Sequence, residues 1–447
     1  MTTFTPSPGD ATGDDRFTRW VVYVAEEASR QLNDTTTGQA VFSAAEYRQR
    51  AISVVRTVLE QAAANAVSRG NAVLDPESES EIARRAVARV CGLGPLEDLL
   101  TEPDVENINL TGTRVWVRHT DGSREERPPV VDNEEELAAL VRRLAADSPA
   151  GERRFDPAAP ILNLPLTDGS RLHAVMDVSH AVAVSIRRHH HRNTSLGELC
   201  RMGTLDDALV GLLRAAVRAR CNIVITGATG AGKTTLLRAL ASEIPALERV
   251  ITIEDTPELG LEHDSEAHPD CVALHARPPN VEGQGEVRMS ELVRAALRMS
   301  PDRVIVGETL GEETLPLLKA MTQGNKGSLT TLHADSSADA FARFCAYAVD
   351  APHPVSREEV AMLFGPAVDL VVHLSSSPRG ERVVTSVREI VGTDGTQVSS
   401  NEIYRRGRDG RLLQASPPSP DTVETLAESG FDTTRILQNT EVAGWLP

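Results

Sequence analysis

The sequence predicts an α/β domain with a mainly parallel sheet, preceded by a smaller α+β domain. From residue 205 onward, helical segments alternate with apolar strand segments, which is typical of a parallel sheet covered by helices. Between residues 70 and 190, short strand patterns joined by turns are mixed with helical segments. The length of 447 residues is more than one hydrophobic core normally supports, so two or three domains are expected.

The chain before residue 190 divides into a tail, a helical extension and the α+β domain. Residues 1–15 are rich in Pro, Gly, Thr and Asp, and we expect them to be disordered. In residues 16–69 apolar side chains recur at helical spacing. The α+β domain, residues 70–190, begins with a helix that breaks at residues 92–95. Its other elements are strands in VENINLTGTRVWVRHTDG, ILNLPLTDGSRLHAVMDV and AVAVSIRRHHH and a helix in EEELAALVRRLAAD.

Residues 191–204 are predicted to link this domain to the α/β domain at 205–430, which a tail at 431–447 follows. Three histidines at 189–191 could suggest a metal site. Adjacent residues of an extended chain point to opposite faces, however, so a basic strand end is the favoured interpretation. The α/β domain should contain helices at 205–219, 232–243, 289–299, 312–322 and 337–349, and strands at 221–226, 249–253, 303–307 and 328–332, then in VDLVVHLSS and ERVVTSVREIVG.

Charge and composition argue against several functional classes. The 46 basic and 64 acidic residues give a net charge of −18, which disfavours a general electrostatic grip on nucleic acid. The first residues lack the basic start and apolar core of a signal peptide, and no run of about 18 apolar residues could span a membrane. The five cysteines are scattered, so we expect thiols in a reducing cytosol and not a zinc site.

The strongest motif is CNIVITGATGAGKTTLLRALA, an apolar strand followed by a glycine-rich loop and a run of helix formers. It satisfies the phosphate-loop pattern G-x-x-x-x-G-K-[ST]. Its backbone N–H groups can surround a phosphate, and the helix that follows adds its positive dipole end. We expect Lys233 to neutralise the β- and γ-phosphates of ATP and the Thr234 hydroxyl to ligate Mg²⁺. The nucleotide-binding residues would be Gly227, Ala228, Thr229, Gly230, Ala231, Gly232, Lys233, Thr234 and Thr235.

Two further strands end in acidic residues. The strand in RVITIEDTPEL ends at Glu254, and the strand in VIVGETL ends at Glu308. Ligands of parallel sheets bind outside the carboxyl ends of the strands, so both glutamates should face the phosphate loop. A carboxylate there can orient the attacking water or support Mg²⁺, and either glutamate suits either role. His333, at the end of a fourth strand, could sense the γ-phosphate or be an ordinary structural histidine.

The order of these motifs resembles the secretion ATPases of type II and type IV secretion systems, and it looks closest to the branch that powers tight-adherence pilus assembly. The resemblance spans about residues 81–430 and rests on GLGPLEDLL, DGSRLHAV, SIRR, the phosphate loop, TIEDTPEL, ARPPNVEGQGEV, ALRMSPDRVIVGE and GSLTTLHADS. It implies a RecA-like P-loop NTPase domain, ATP hydrolysis with Mg²⁺ and a homo-oligomeric ring of six. It also implies a cytoplasmic protein that reaches the inner face of the cell membrane through platform proteins.

The resemblance also implies roles for single residues. Glu254 would be the general base or position the water, and Glu308 would act with Thr234 at Mg²⁺, with Glu254 as a further acidic group near the metal. His333 would link the nucleotide to the subunit interface. Arginines of the N-terminal domain reach the phosphates in related enzymes, and the matching residues here are Arg171 in DGSR and Arg187 and Arg188 in SIRR. Each of these could equally be a surface arginine on a strand.

The sequence departs from the family pattern at three places. Leu310 stands where an arginine often follows the Gly-Glu pair, residues 323–325 read Gln-Gly-Asn in place of Thr-Gly-His, and residues 333–335 read His-Ala-Asp in place of His-Ala-Asn. Two alternatives to a secretion motor stay open, and only the second of them is supported by these differences. One is a DNA-translocating, conjugative ATPase, against which the net charge counts. The other is a non-hydrolysing nucleotide-binding scaffold in a mixed ring.

Overall fold

The computed structural model describes residues 13–35, 44–68, 74–91, 96–146, 153–166, 169–188, 194–279, 282–350, 354–376, 381–407 and 412–432. The chain divides into two compact units, residues 1–189 and 190–447. The tails predicted at 1–15 and 431–447 lie largely outside the described residues. The helix break at 92–95 and the histidines at 189–191 lie outside them entirely.

Three helices open the first unit: α1 (Gly13–Thr35), α2 (Ala44–Ser68) and α3 (Pro76–Cys91). Each helix contributes apolar side chains to a common core, among them Trp20, Val55 and Ile82. The apolar residues that recur at helical spacing in the sequence therefore form the packing faces of a small helical bundle.

The rest of the first unit is an antiparallel sheet with two helices. Its elements are α4 (Leu96–Thr101), β1 (Val105–Thr111), β2 (Arg114–His119), β3 (Arg124–Arg127), α5 (Glu134–Ala146), β4 (Ile161–Pro165), β5 (Arg171–Val175) and β6 (Ala183–Arg187). The strand order is β3-β2-β1-β6-β5-β4. Alternate strand residues, such as Ile108 and Ile186, share a core with Leu137 of α5. Strand β3 was not predicted, because its sequence Arg-Glu-Glu-Arg has no apolar residue.

The second unit alternates helices and strands. Its elements are α6 (Leu196–Arg201), α7 (Asp207–Arg218), β7 (Ile223–Gly227), α8 (Lys233–Ala241), β8 (Val250–Glu254), a 3₁₀ turn (Leu261–His263), β9 (Cys271–His275), α9 (Met289–Ala296), β10 (Arg303–Thr309), α10 (Thr314–Thr322), β11 (Leu329–Leu332), α11 (Ala340–Asp350), α12 (Arg357–Ala367), β12 (Leu370–Ser376), β13 (Arg382–Asp394), β14 (Gln397–Arg406), β15 (Leu412–Gln414) and α13 (Pro420–Glu428).

A nine-stranded sheet organises this unit, in the order β15-β14-β13-β12-β7-β11-β10-β8-β9. The six strands from β12 to β9 run parallel, and β13 to β15 extend the sheet as an antiparallel meander. Central strands are buried on both faces: Ile223 and Ile225 belong to one core, and Val224 between them belongs to the other. That is why these strands read as continuous apolar runs in the sequence.

Three elements of the second unit differ from the predictions. The segment expected to be a linker contains α6. Ser195 and Glu198 cap the N-terminus of this helix with a reciprocal capping box. Strand β9, which was not predicted, lies at the edge of the sheet and is only half-buried. Helix α12 carries Pro366 near its end, which weakened its helical signal.

Within the described residues, no helix is long and apolar enough to cross a bilayer.

Candidate active site

The glycine-rich loop connects β7 to α8, as the sequence predicted. Gly227, Gly230 and Gly232 have φ values of 154°, 77° and 95°, which only glycine adopts without strain. A Cβ atom on Gly227 would lie 2.5 Å from the backbone oxygen of Leu374 in β12. The loop is thus a backbone-lined cradle before a helix N-terminus, a shape that suits phosphate oxygens.

Lys233, the first residue of α8, is folded under this loop. Its side chain is 7% exposed, and Nζ donates to the backbone oxygens of Gly227 at 3.1 Å and Ala228 at 3.2 Å. Nζ also lies 3.3 Å from both ring nitrogens of His333. A buried ammonium beside the glycine-rich loop is suited to a polyanionic ligand.

His333 connects Lys233 to Glu308. The residue directly follows β11, and its Nε2 lies 2.6 Å from Oε1 of Glu308 in β10. If Nε2 donates to this carboxylate, Nδ1 is the acceptor that faces Lys233. Three of the residues predicted from separate motifs therefore form one chain of contacts, Lys233–His333–Glu308.

Glu254 ends β8 and is 5% exposed. Its Oε1 accepts hydrogen bonds from the backbone N–H groups of Glu258 and Leu259, both at 3.0 Å. Burial raises the pKa of Glu254 to about 8, although these two N–H groups favour the ionised form. A carboxyl group that titrates near neutral pH is suited to proton transfer.

The contacts of Gly307 explain why a glycine precedes Glu308 near the end of β10. A Cβ atom on Gly307 would lie 2.9 Å from Cγ and 3.1 Å from Oε1 of Glu254, so any side chain would displace that glutamate. The backbone oxygen of Gly307 also accepts a hydrogen bond from the Thr331 hydroxyl at 2.7 Å. The missing side chain at Gly307 leaves room for Glu254 against β10, which sequence reasoning did not foresee.

The strand order sets how far each acidic group lies from the loop. Strand β11 is next to β7, β10 follows, and β8 is third. Neighbouring strands are about 4.8 Å apart, so Glu254 starts about 14 Å from the loop strand and Glu308 about 10 Å from it. Both glutamates lie at the carboxyl edge that carries the loop, as expected, but Glu308 is the nearer.

Comparisons with known proteins place this chain in a family. The family described as type II/IV secretion system protein matches residues 129–413, more than half of the chain. This chain belongs to that family. The expectation of a secretion ATPase is thereby confirmed.

Individual relatives of this secretion-system protein agree with the family match. A Mycobacterium tuberculosis (strain H37Rv) protein whose name assigns it provisionally to conjugal transfer is 34% identical over 313 residues, 68% of this chain and 86% of its own. The type IV secretion system protein PtlH of Bordetella pertussis (strain Tohama I) is 32% identical over 289 residues, 58% of this chain and 82% of its own. The crystal structure of the pilus retraction motor PilT with bound ADP matches with a TM-score of 0.50 at 19% identity, over 77% of this chain and 88% of that one. This last likeness bears on the fold alone and agrees with the predicted RecA-like P-loop domain.

The predicted arginines of this secretion-family chain lie in the first unit. Arg171 of β5 and Arg187 of β6 are directly opposite each other in the antiparallel register. Like charges at such a position destabilise a sheet unless an anion or acidic partner lies near them. Arg188 has a different environment, because its guanidinium donates to the backbone oxygens of Glu102 and Val105.

The departures from the family pattern have simple structural settings. Leu310 is 51% exposed, and its backbone N–H and that of Gly311 donate to the buried carboxylate of Glu313. Asn325 is half-buried, and its backbone oxygen accepts from the Ser328 hydroxyl at 3.0 Å. None of these hydrogen bonds involves Lys233, His333 or Glu308.

Sequence reasoning missed a polar pair beneath the loop. His373 of β12 is opposite Thr226 of β7, and its Nδ1 lies 2.9 Å from the threonine hydroxyl. Burial lowers the pKa of His373, which favours the neutral ring. A histidine inside the apolar run VVHLSS was the signal available in the sequence. No group of three or more His, Cys, Asp or Glu side chains within the described ranges could hold a metal ion by itself.

Proposed function

We propose that this chain hydrolyses ATP with Mg²⁺ and thereby powers pilus assembly or protein secretion at the inner membrane. The observation that carries the proposal is the contact chain Lys233–His333–Glu308 beside a backbone cradle, with the titratable Glu254 next to Gly307. A phosphate-binding cation, a possible sensor and two acidic groups at one sheet edge are the parts that phosphoryl transfer requires.

Residues 227–235 would hold the phosphates, because the loop offers backbone donors and Lys233 supplies the buried positive charge. Thr234, Glu308 and Glu254 are the proposed surroundings of Mg²⁺, which neutralises charge on the phosphate oxygens when it is bound. Protein sites for Mg²⁺ commonly use one or two carboxylates together with substrate phosphates, so this small set of side chains is sufficient.

Glu254 would position and deprotonate the attacking water. With a pKa of about 8, the carboxyl group is largely protonated at pH 7 in the nucleotide-free protein. It becomes a base only when its proton leaves, and positive charge near it would favour that step. His333 would report the presence of the γ-phosphate, because a ligand on Lys233 must compete with the imidazole for the ammonium group.

Force would come from closure of the first unit over the nucleotide, with Arg171 and Arg187 binding its phosphates. Loss of the γ-phosphate would release the two units, and the cycle would run in a homo-oligomeric ring of six. We further propose a cytoplasmic location at the inner face of the membrane, reached through platform proteins of the tight-adherence type.

The full chain should release phosphate from ATP only with Mg²⁺ present. Lys233→Ala should bind ATP weakly and lose at least about 10²-fold in rate, because the charge that neutralises the phosphates is gone. Lys319→Ala, at an exposed position of α10, is the matched control and should keep the parent rate. Tight ATP binding by the parent chain without phosphate release, alone or with its platform partner, would favour the scaffold alternative.

A second candidate function is a motor for conjugal DNA transfer, favoured by the name of the Mycobacterium tuberculosis relative. The same engine would serve a different cargo, and direct DNA contact is not expected from a net charge of −18. ATPase stimulation by single-stranded DNA that disappears with added salt would support this candidate. Stimulation by a pilus platform protein alone would support the first.

A further inference from the structure

Arg382 lies at the mouth of the phosphate loop, although it is far from the loop in sequence. Strand β12 runs parallel to β7, with Leu374 opposite Gly227, so the end of β12 lies beside the loop. Strand β13 returns antiparallel, and its first residue, Arg382, is opposite Ser376. The sheet thereby fixes the backbone of Arg382 at the same edge as the nucleotide-binding loop.

The arginine touches the loop through its aliphatic stem. Its Cδ lies 3.2 Å and its Cβ 3.9 Å from the position that a Cβ atom on Gly232 would occupy. Gly232 has left-handed backbone geometry and caps the N-terminus of α8. The side chain is exposed, so its guanidinium is not buried in the protein core.

A guanidinium at this place is chemically matched to phosphate. It presents a planar fork of donors to two oxygens and keeps its charge at any physiological pH. Lys233, the other cation at the loop, is turned under it towards Gly227 and His333. Two cations would then contact the loop from different positions, which spreads positive charge along a phosphate chain.

We propose that Arg382 is a second phosphate-binding cation of the nucleotide site. The assignment rests on the proposed function, since it requires that the loop bind a nucleoside triphosphate. An arginine that only covers Gly232 with its stem would contribute packing and no affinity for phosphate.

Calorimetric titration of the full chain with Mg-ATP and with Mg-tripolyphosphate tests this proposal. Arg382→Ala should weaken binding of both ligands about tenfold, because a charge-assisted contact to phosphate is lost. Arg382→Lys should recover part of the affinity, since it restores charge without the fork. The control Arg405→Ala, at an exposed position of β14, should bind both ligands like the parent.

Three outcomes would overturn the assignment. Equal affinities for parent and Arg382→Ala would make Arg382 a surface residue. Weaker ATP binding with unchanged tripolyphosphate binding would make it a contact to the base or sugar. Equal losses in Arg382→Ala and Arg405→Ala would indicate a general charge effect. A parent chain that binds no ATP would instead contradict the proposed function, so the two failures are distinguishable.

Discussion

Glu248 lies just before strand β8 and Glu254 is its last residue, and the pKa values of their carboxyl groups are shifted in opposite directions. At the amino end, burial alone would raise the pKa of Glu248, but Arg303 and Arg220 outweigh it and hold the pKa below its usual range. At the carboxyl end, burial prevails and raises the pKa of Glu254 to about 8. One end of the strand therefore holds a satisfied ion, and the other holds a group that is poised to gain or lose a proton.

The amino end of the sheet is a closed network. Arg303 is fully buried, and its Nε lies 2.6 Å from Glu248. Asn222 donates to the backbone oxygens of Met321 at 3.2 Å and Ala367 at 2.6 Å, and it accepts from Gly327 and Ser328 at 2.8 and 2.9 Å. These bonds join β7, β11 and the end of α12, so the polar groups stabilise the fold.

At the carboxyl end of the sheet, the polar groups contact one another beside the proposed ligand site. Lys233 is bound by two backbone oxygens and a histidine, although its charge suits an anion. Burial of a polar group is therefore not in itself a sign of function. What distinguishes the two ends is the dominant influence on the pKa of each glutamate, which is the neighbouring arginines for Glu248 and burial for Glu254.

The largest effect should come from Glu254→Gln, which keeps the shape of the side chain and removes the ionisable carboxyl. The rate of ATP hydrolysis should fall by about 10²–10⁴-fold, because general-base assistance is lost. The unfolding temperature at pH 7.5 should stay the same or rise, since the amide is neutral in both states, whereas the carboxyl is ionised in the unfolded chain and must gain a proton to be buried uncharged. Phosphate-release assays at saturating ATP and scanning calorimetry measure the two quantities.

Glu248→Gln is the control from the other end of β8. It leaves the buried Arg303 without its compensating charge and should cost about 3 kcal/mol of unfolding free energy. The rate per folded molecule should not change. If Glu248→Gln slowed hydrolysis as much as Glu254→Gln, the functional contrast between the two ends would not exist.

A pair of glycines should separate stability from activity in the same way. A Cβ atom on Gly327 would lie 1.9 Å from the guanidinium of Arg303, and Gly327 has a φ of 92°. Gly327→Ala should therefore destabilise the protein by about 2–3 kcal/mol. Gly307→Ala should displace Glu254 and lower the rate about tenfold or more, with a cost in stability of about 1–2 kcal/mol. Denaturant melts and rate assays of both variants test whether Gly327→Ala mainly lowers stability and Gly307→Ala mainly lowers the rate. A Gly307→Ala enzyme with the parent rate would contradict this expectation.

Stability should depend on pH through Glu254. Its pKa is raised by folding from 4.5 to about 8, so its stabilising contribution is complete below pH 4.5 and is lost as the pH rises through 8. From pH 5.5 to 7.5 the nucleotide-free parent should lose about 2–3 kcal/mol relative to Glu254→Gln. The neighbouring Glu258 and Glu262 carboxylates raise this pKa further.

The variant-minus-parent difference is the quantity to measure, by thermal melts across this range. Burial also raises the pKa of Asp369, which changes stability with the same sign in both proteins and cancels in the difference. A difference that stays constant with pH would show that Glu254 titrates at its ordinary value.

The smallest effect should come from Leu310→Arg, which restores the residue that the family often has. The position is 51% exposed, and its backbone is already held by Glu313. We expect a change in stability below about 0.5 kcal/mol and, in an isolated chain, a rate within about twofold of the parent. A large gain in rate would show that the carboxyl end of the sheet was incomplete in this chain.

The local parts of the candidate site could be predicted from the sequence alone. The phosphate loop, the strand before it and the helix after it depend on contacts between near neighbours, so the motif predicts them directly. The apolar runs of β7, β8 and β10 predicted a parallel sheet, because strands buried on both faces need apolar side chains throughout. The glutamates at two strand ends followed from the same pattern.

The way in which these parts contact one another depends on the tertiary structure. The insertion of β11 and β10 between β7 and β8 places His333 against Lys233 and keeps Glu254 farther away. The need for Gly307 arises from a side chain 53 positions earlier, and the contact of Arg382 with Gly232 spans 150 positions. Strand order is set by the packing of helices on both faces of the sheet, a non-local property that no single segment encodes.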